Sequence, residues 1–195
     1  MKANKILVAM GVGSMLLCGT AFAAGNTGSG KVTFNGEIIN APCSVAPESV
    51  DQVVEMGQIS TKELANGGES NSKPFSIKLL NCEISDTEDA VKVTFSGAKD
   101  PVDSSLLVIG GGDAAGAGIK MTAPGTGAAI VLGEPTAAFG LVNGDNELPF
   151  SAVLKGYASQ DTYPLKAGAF TAVTNFTLSY GLVAQIGELS VISVI

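Results

Sequence analysis

The 195-residue sequence contains no histidine, no tryptophan and no arginine. Without histidine it lacks the usual general base, the commonest metal ligand and any Ser-His or Cys-His pairing for nucleophilic catalysis. Without tryptophan, and with only three tyrosines, it is poor in the aromatic platforms that stack on sugar rings. Positive charge is also scarce: eleven lysines face eighteen acidic residues, for a net charge of −7. Two of those lysines, Lys2 and Lys5, sit in an N-terminal leader, and their removal takes the net charge to −9. An acidic chain with no basic patch is a poor partner for nucleic acid or anionic lipid.

Long apolar runs are missing too. Residues 6–17 are largely apolar but too short to span a bilayer. With Lys2 and Lys5 ahead and Ala21-Phe22-Ala23 behind, they form the layout of a secretory signal over residues 1–23. Leu17 stands where a lipoprotein signal wants a small residue, so Cys18 is expected to leave with the leader unlipidated. The remainder, about 172 residues, suffices for one domain with its own core. It holds two cysteines, Cys43 and Cys82. An even pair in an exported chain predicts one disulfide, closing a loop of about 40 residues worth roughly 3–4 kcal/mol.

What is present is alternation. Apolar residues recur at period two rather than 3.6, so the spacing predicts strands. Phe75, Ile77 and Leu79 share one face, as do Val91, Val93 and Phe95, and Leu148, Phe150, Ala152 and Leu154. The longest pattern is "AFTAVTNFTLSY", with Phe170, Ala172, Phe176, Leu178 and Tyr180 on one face, broken only by Thr174. It predicts a half-buried strand over residues 170–180. Residues 66–74, 110–118, 123–129 and 143–149 are turn-rich and predict loops. Short strands at this spacing imply an all-β sandwich.

Sites for chemistry are few. Asp86, Glu88 and Asp89 cluster but lack the oxygen-ligand spacing of a calcium loop, so a solvated acidic loop is expected. The glycine-rich stretches match neither phosphate-binding pattern. No cofactor, metal site or catalytic residue is expected, and the chain reads as a non-enzyme. The informative features are edges instead. An alternating segment, "GKVTFNGEIINAPCSV" at residues 30–45, precedes the sandwich, and the last long strand has no obvious follower. Unpaired backbone groups on such a strand need partners, and strand addition from another chain supplies them.

Three marks, "GKVTFNGEIINAPCSV", "LLNC" at residues 79–82 and "FTAVTNFTLSY" closing at Tyr180, resemble the major fimbrial subunits of chaperone–usher pili, the P-pilus and type 1 fimbrial protein family. The resemblance implies an incomplete immunoglobulin-like β-sandwich, completed by donor-strand complementation. Residues 24–35 would be an N-terminal donor extension and residues 36–180 the pilin domain. Gly30, Val32 and Phe34 would point into a neighbour's groove, Gly30 passing a tight pocket. The acceptor groove would lie between residues 37–40 and the last strand, with Phe170, Ala172, Phe176, Leu178 and Tyr180 lining it. Implied partners are identical or related pilin subunits, a periplasmic chaperone and an outer-membrane usher. The protein would pass through the periplasm to the cell-surface fimbria, polymerise head to tail into the rod and support cell adhesion. Alternatives are a minor adaptor or tip-proximal pilin and, from another class, a secreted carbohydrate-binding β-sandwich.

One departure stands out. The family's chain ordinarily stops just after the tyrosine, whereas here fifteen residues follow Tyr180. Residues 181–195 form an atypical apolar tail, for which three readings are open: it disrupts assembly, it hangs free, or it folds back. In the last case Leu189, Val191, Ile192, Val194 and Ile195 would supply the apolar residues of a cis-complementing strand.

Overall fold

The computed structural model describes residues 30–123 and 127–182. The chain divides into two compact units, residues 1–38 and 39–195. In the first, the described residues 30–38 form no strand, and Val32 and Phe34 are 75% and 91% exposed.

The second unit is all-β apart from two short turns of helix. Its elements, in chain order, are β1 (Ser44–Val45), helix α1 (Pro47–Val50), a 3-10 turn (Ala65–Gly67), β2 (Lys73–Cys82), β3 (Ala90–Gly97), β4 (Leu107–Val108), β5 (Ala117–Thr122), β6 (Phe139–Gly140), β7 (Gly144–Gly156) and β8 (Thr174–Gly181). They form two sheets. One has the order β1-β2-β7-β5-β4 and the other β6-β3-β8, with every pairing antiparallel. Antiparallel sheets keep one face dry and one wet, which is the alternation the sequence carries.

The core lies between the sheets. Ile77 and Leu79 of β2, Val91, Val93 and Phe95 of β3, and Leu148, Phe150, Ala152 and Leu154 of β7 are all buried, as their parity predicts. Cross-strand register brings Phe75 opposite Phe150 and Ile77 opposite Leu148. Phe95 reaches over from the other sheet, its ring edge-on to Phe150 at 5.1 Å and to Phe75 at 6.2 Å, and Phe139 meets Phe150 edge-on at 5.5 Å. Such aromatic pairs add about 0.5–1.5 kcal/mol each beyond their buried area, so this cluster pins the two sheets face to face.

The expected disulfide is present. Cys43 and Cys82 are bonded, with Cα atoms 4.1 Å apart, and the pairing of Ser44 and Val45 with Leu80 and Leu79 continues from it. Nearby, Ser49, 2% exposed, accepts a hydrogen bond from the Lys78 amide on its hydroxyl, which ties α1 to β2.

Several boundaries differ from the sequence reading. Residues 143–149 carry turn composition, yet β7 begins at Gly144. The long β2 offers partners as far as Cys82, which pairs with Gly144, and Asn146 folds its amide back on the Val142 backbone to make the turn one step earlier. In the same way β5 claims Ala117 and Gly118 from the glycine-rich stretch, because Lys155 and Gly156 of β7 pair with them. The strand expected over residues 170–180 is shorter. Thr171 exchanges two backbone hydrogen bonds with Gly110, at 2.7 and 2.8 Å, beside β4 in the larger sheet. Only from Thr174 does the chain join β3, and there the inward-parity threonine donates its hydroxyl to the Ser96 carbonyl at 3.1 Å. The break in the apolar pattern at Thr174 marks the crossing between sheets.

The first strand also falls elsewhere. Residues 37–40, expected to line a groove, form no strand, and Ile38 is fully exposed. Pro42 lacks an amide hydrogen, and its carbonyl is taken by the Glu83 amide at 2.9 Å, so pairing with β2 begins only beyond the disulfide, at Ser44.

Candidate functional site

The smaller sheet has only three strands among the described residues, and β8 is its edge. On one side β8 pairs with β3 along its whole length, from Thr174 opposite Gly97 to Gly181 opposite Ala90. In an antiparallel pair alternate residues turn their N–H and C=O groups away from the partner strand, so β8 presents a row of them to its open side.

The side chains tell the same story. Phe176, Leu178 and Tyr180 point inward and pack on the core, as do Phe170 and Ala172 upstream, but all five remain partly exposed. Their cross-strand partners Phe95, Val93 and Val91 are buried to 2% or less. Asn175, Thr177 and Ser179 face solvent. The core is sealed under β3 and open beside β8.

Tyr180 sharpens the picture. Its hydroxyl is buried and has no hydrogen-bond partner among the described residues. Burial, with the Glu88 carboxylate as a lesser cause, holds its pKa above the ordinary tyrosine value. A buried hydroxyl without a partner is costly, which marks this end of the open edge as unfinished.

The sequence-predicted site residues are therefore brought together in part. Phe176, Leu178 and Tyr180 form one row on β8, and Phe170 and Ala172, upstream of it, also pack partly buried on the core. Gly30, Val32 and Phe34 belong to the other unit; an added Cβ on Gly30 would meet nothing within 4 Å. Leu189, Val191, Ile192, Val194 and Ile195 lie outside the described residues. Met56 and Ile59, which sequence reasoning missed, also pack on the core from a strand-free stretch. Their spacing of three gives no period-two signal.

The acidic cluster at 86–89 forms a turn in which the Glu88 amide bonds the Ser85 carbonyl at 3.1 Å, and no group of acidic or cysteine side chains able to hold a metal occurs among the described residues. A hollow lined by Val102, Val108, Ile109, Tyr157, Tyr163 and Pro164 has two aromatics. Its Tyr157 hydroxyl is committed to Asp100, and the two rings meet edge-on at 6.0 Å, so they make no flat stacking platform.

A two-sheet sandwich whose last described strand is paired on one side only, beside an incompletely covered core, is an immunoglobulin-like domain short of a strand. The family model described as "Fimbrial protein" matches residues 32–181, and the chain belongs to that family. It is 43% identical over 182 residues to the Major MR/P fimbria protein of Proteus mirabilis, covering 92% of this chain and 99% of that protein. It is 45% identical over 184 residues to the Fimbria A protein of Serratia marcescens, with the same coverage. Among solved structures, the P pilus rod subunit PapA superposes with a TM-score of 0.63 at 33% identity, over 72% of this chain and 99% of that one. A chaperone–usher pilus studied for rod uncoiling superposes with a TM-score of 0.69 at 36% identity, over 79% of this chain and 96% of the other.

Proposed function

We propose that this chain is the repeating structural subunit of a chaperone–usher pilus rod, with the open edge of β8 as its acceptor site. The carrying observation is the contrast between sealed and open core on paired strands: Val93 is fully buried, while its partner Leu178 is partly exposed. A strand laid along β8 would use its free backbone groups and cover Phe176, Leu178 and Tyr180.

The donor is the segment ending in Gly30, Val32 and Phe34 of another copy. Its support is chemical: the alternating side chains are apolar, and Val32 and Phe34 are exposed. A large exposed phenylalanine has much to gain from burial, about 1.5–3 kcal/mol. Donor and acceptor are different segments of the chain, so the contact is heterologous and propagates as a filament. Residues 1–23 act as the export signal, a periplasmic chaperone covers the edge until an outer-membrane usher exchanges it, and the product is a cell-surface fimbria that supports adhesion. The domain's part is structural.

Electron microscopy of cells expressing the gene with its assembly partners tests this reading. Fibres carrying the protein along their whole length are expected from the unaltered chain, and none from Phe34→Asp, which puts a charge into the groove. Protein confined to fibre ends would make it a minor subunit. Unchanged fibres with Phe34→Asp would remove the donor assignment.

A further inference from the structure

Three asparagines of the chain are followed by glycine: Asn35, Asn66 and Asn143. Turn geometry accounts for two of those glycines. Gly67 and Gly144 have left-handed φ values of 80° and 93°, a region that glycine enters without steric cost. Gly36 is not left-handed, and a Cβ added to it would meet nothing within 4 Å. The fold makes no demand for glycine there. We propose that Asn35–Gly36 is a site of spontaneous modification by water, at which Asn35 deamidates in the free subunit through a cyclic imide with the Gly36 nitrogen.

The chemistry needs no enzyme and no reagent but water. The Gly36 backbone nitrogen gives up its proton to solvent and attacks Asn35 Cγ, forming a C–N bond and closing a succinimide ring. The Cγ–Nδ2 bond breaks, and the nitrogen takes a proton and leaves as ammonia. Water then adds to either ring carbonyl and the ring opens, returning the proton to the Gly36 nitrogen. Opening at Cγ leaves aspartate. Opening at the backbone carbonyl leaves isoaspartate, whose main chain runs through the side chain and is one carbon longer. The sum exchanges an amide for a carboxylate, with no change of oxidation state.

Ring closure needs an unhindered nitrogen and a backbone free to turn it toward the side chain. Position 35 offers both: residues 30–38 form no strand or helix, Asn35 and Gly36 are exposed, and glycine adds no side chain in the way. The other two sites are held. Asn143 accepts the Ile84 amide on its Oδ1 at 2.7 Å, and Gly144 pairs with Cys82 where β7 meets β2. Asn66 is itself left-handed, at φ 55°, inside a 3-10 turn that the Gly68 amide closes on the Ala65 carbonyl at 3.1 Å. Each must open before it reacts, and the cost of opening is lost rate.

The position gives the reaction a consequence, which rests on the donor-strand reading although the reactivity does not. The product carries a carboxylate directly after Phe34, the large apolar residue offered to a neighbour's groove. Isoaspartate also lengthens the main chain where the donor segment meets its own domain. A strand laid along β8 would fix the backbone around Asn35 and slow ring closure. Deamidation therefore marks subunits that have waited unassembled.

Incubating the purified subunit in heavy-oxygen water, followed by peptide mapping with mass spectrometry, tests the site. Label is expected at residue 35 at least about 10-fold faster than at residue 66 or 143, because those two must first open. Gly36→Ala, which the empty space around Gly36 lets the fold accept, is expected to slow labelling at 35 by about 10-fold, since the methyl hinders the nitrogen and stiffens the backbone. Labelling at 66 or 143 as fast as at 35, or equal labelling of 35 with Gly36→Ala, overturns the proposal.

Assembled fibres separate it from the donor reading. Labelling at 35 about 10-fold slower in fibres than in free subunits supports protection by pairing. Equal rates in the two forms overturn the confinement to free subunits and count against a seated donor strand, while the faster reaction at 35 than at 66 and 143 still stands as the modification site.

Discussion

Tyr180 stands directly opposite Val91 in the β3–β8 ladder, on the same inward face, yet Val91 is fully buried and Tyr180 is not. Two neighbours in one ladder normally share a fate. They differ because β3 lies between β6 and β8 while β8 has β3 as its one neighbour among the described residues, so the core beneath the outer strand is less covered. The buried Tyr180 hydroxyl on that strand has no hydrogen-bond partner among the described residues.

The hydroxyl is therefore a cost to the isolated subunit. Tyr180→Phe removes a buried group that has no partner among the described residues, and is expected to leave the lone domain unchanged or more stable by about 1 kcal/mol. The urea midpoint of purified monomer measures it. A loss above that size would show that the hydroxyl has a partner after all.

The Cys43–Cys82 bond closes a separation of 39 residues and anchors the two-residue β1. Replacing both cysteines with alanine is expected to lower stability by about 3–4 kcal/mol, mostly by freeing the unfolded chain. Urea unfolding of the variant beside the oxidised parent gives the difference directly. A loss under 1 kcal/mol would contradict the assignment of this bond as a main constraint.

Asp100, only 2% exposed, accepts hydrogen bonds from the Val102 and Asp103 amides at 2.9 and 3.0 Å and from the Tyr157 hydroxyl at 2.5 Å. Burial first, and then this carboxylate, push the Tyr157 pKa well above its ordinary value near 10. An unfolded tyrosine ionises near pH 10 while the folded one keeps its proton. The stabilisation is therefore complete below pH 10 and declines as pH climbs above it toward the folded value. The stability gap between the parent and Tyr157→Phe should narrow from pH 10 upward, as read by chemical denaturation at a series of pH values. At neutral pH, Asp100→Ala should cost about 2–4 kcal/mol, because three donors lose their acceptor.

Gly156 ends β7 with its Cα against the Leu64 carbonyl oxygen, and a Cβ there would collide with that backbone atom. Its amide also bonds the Gly68 carbonyl at 2.9 Å, so neither side can retreat freely. Gly156→Ala is expected to destabilise by about 1–3 kcal/mol, as overpacking of a fixed site does. Thermal unfolding reads the loss, and a neutral result would mean that the 3-10 turn beside Leu64 yields.

Much of this was legible beforehand. The period-two rows of β2, β3 and β7 predicted which side chains enter the core, because a pleated strand sends alternate residues to opposite faces. The apolar row from Phe170 to Tyr180 was legible as one pattern but not as two attachments. Nothing in the sequence says that Thr171 bonds Gly110 while Thr174 begins the β3 ladder. Residues 37–40 differ for the converse reason: they look extended, but they pair with no strand among the described residues.

By itself, then, the sequence determined the class of fold, the cysteine pair and the inward faces, since composition and parity are local properties. The tertiary structure decided where strands stop, which glycines are irreplaceable and which strand is left at an edge. Those follow from pairing, and pairing depends on partners distant in the chain. The open side of β8 is such a property: its residues alternate much as those of β3 do, and the absence of a second neighbour among the described residues turns one strand of a core into a place for another strand to bind.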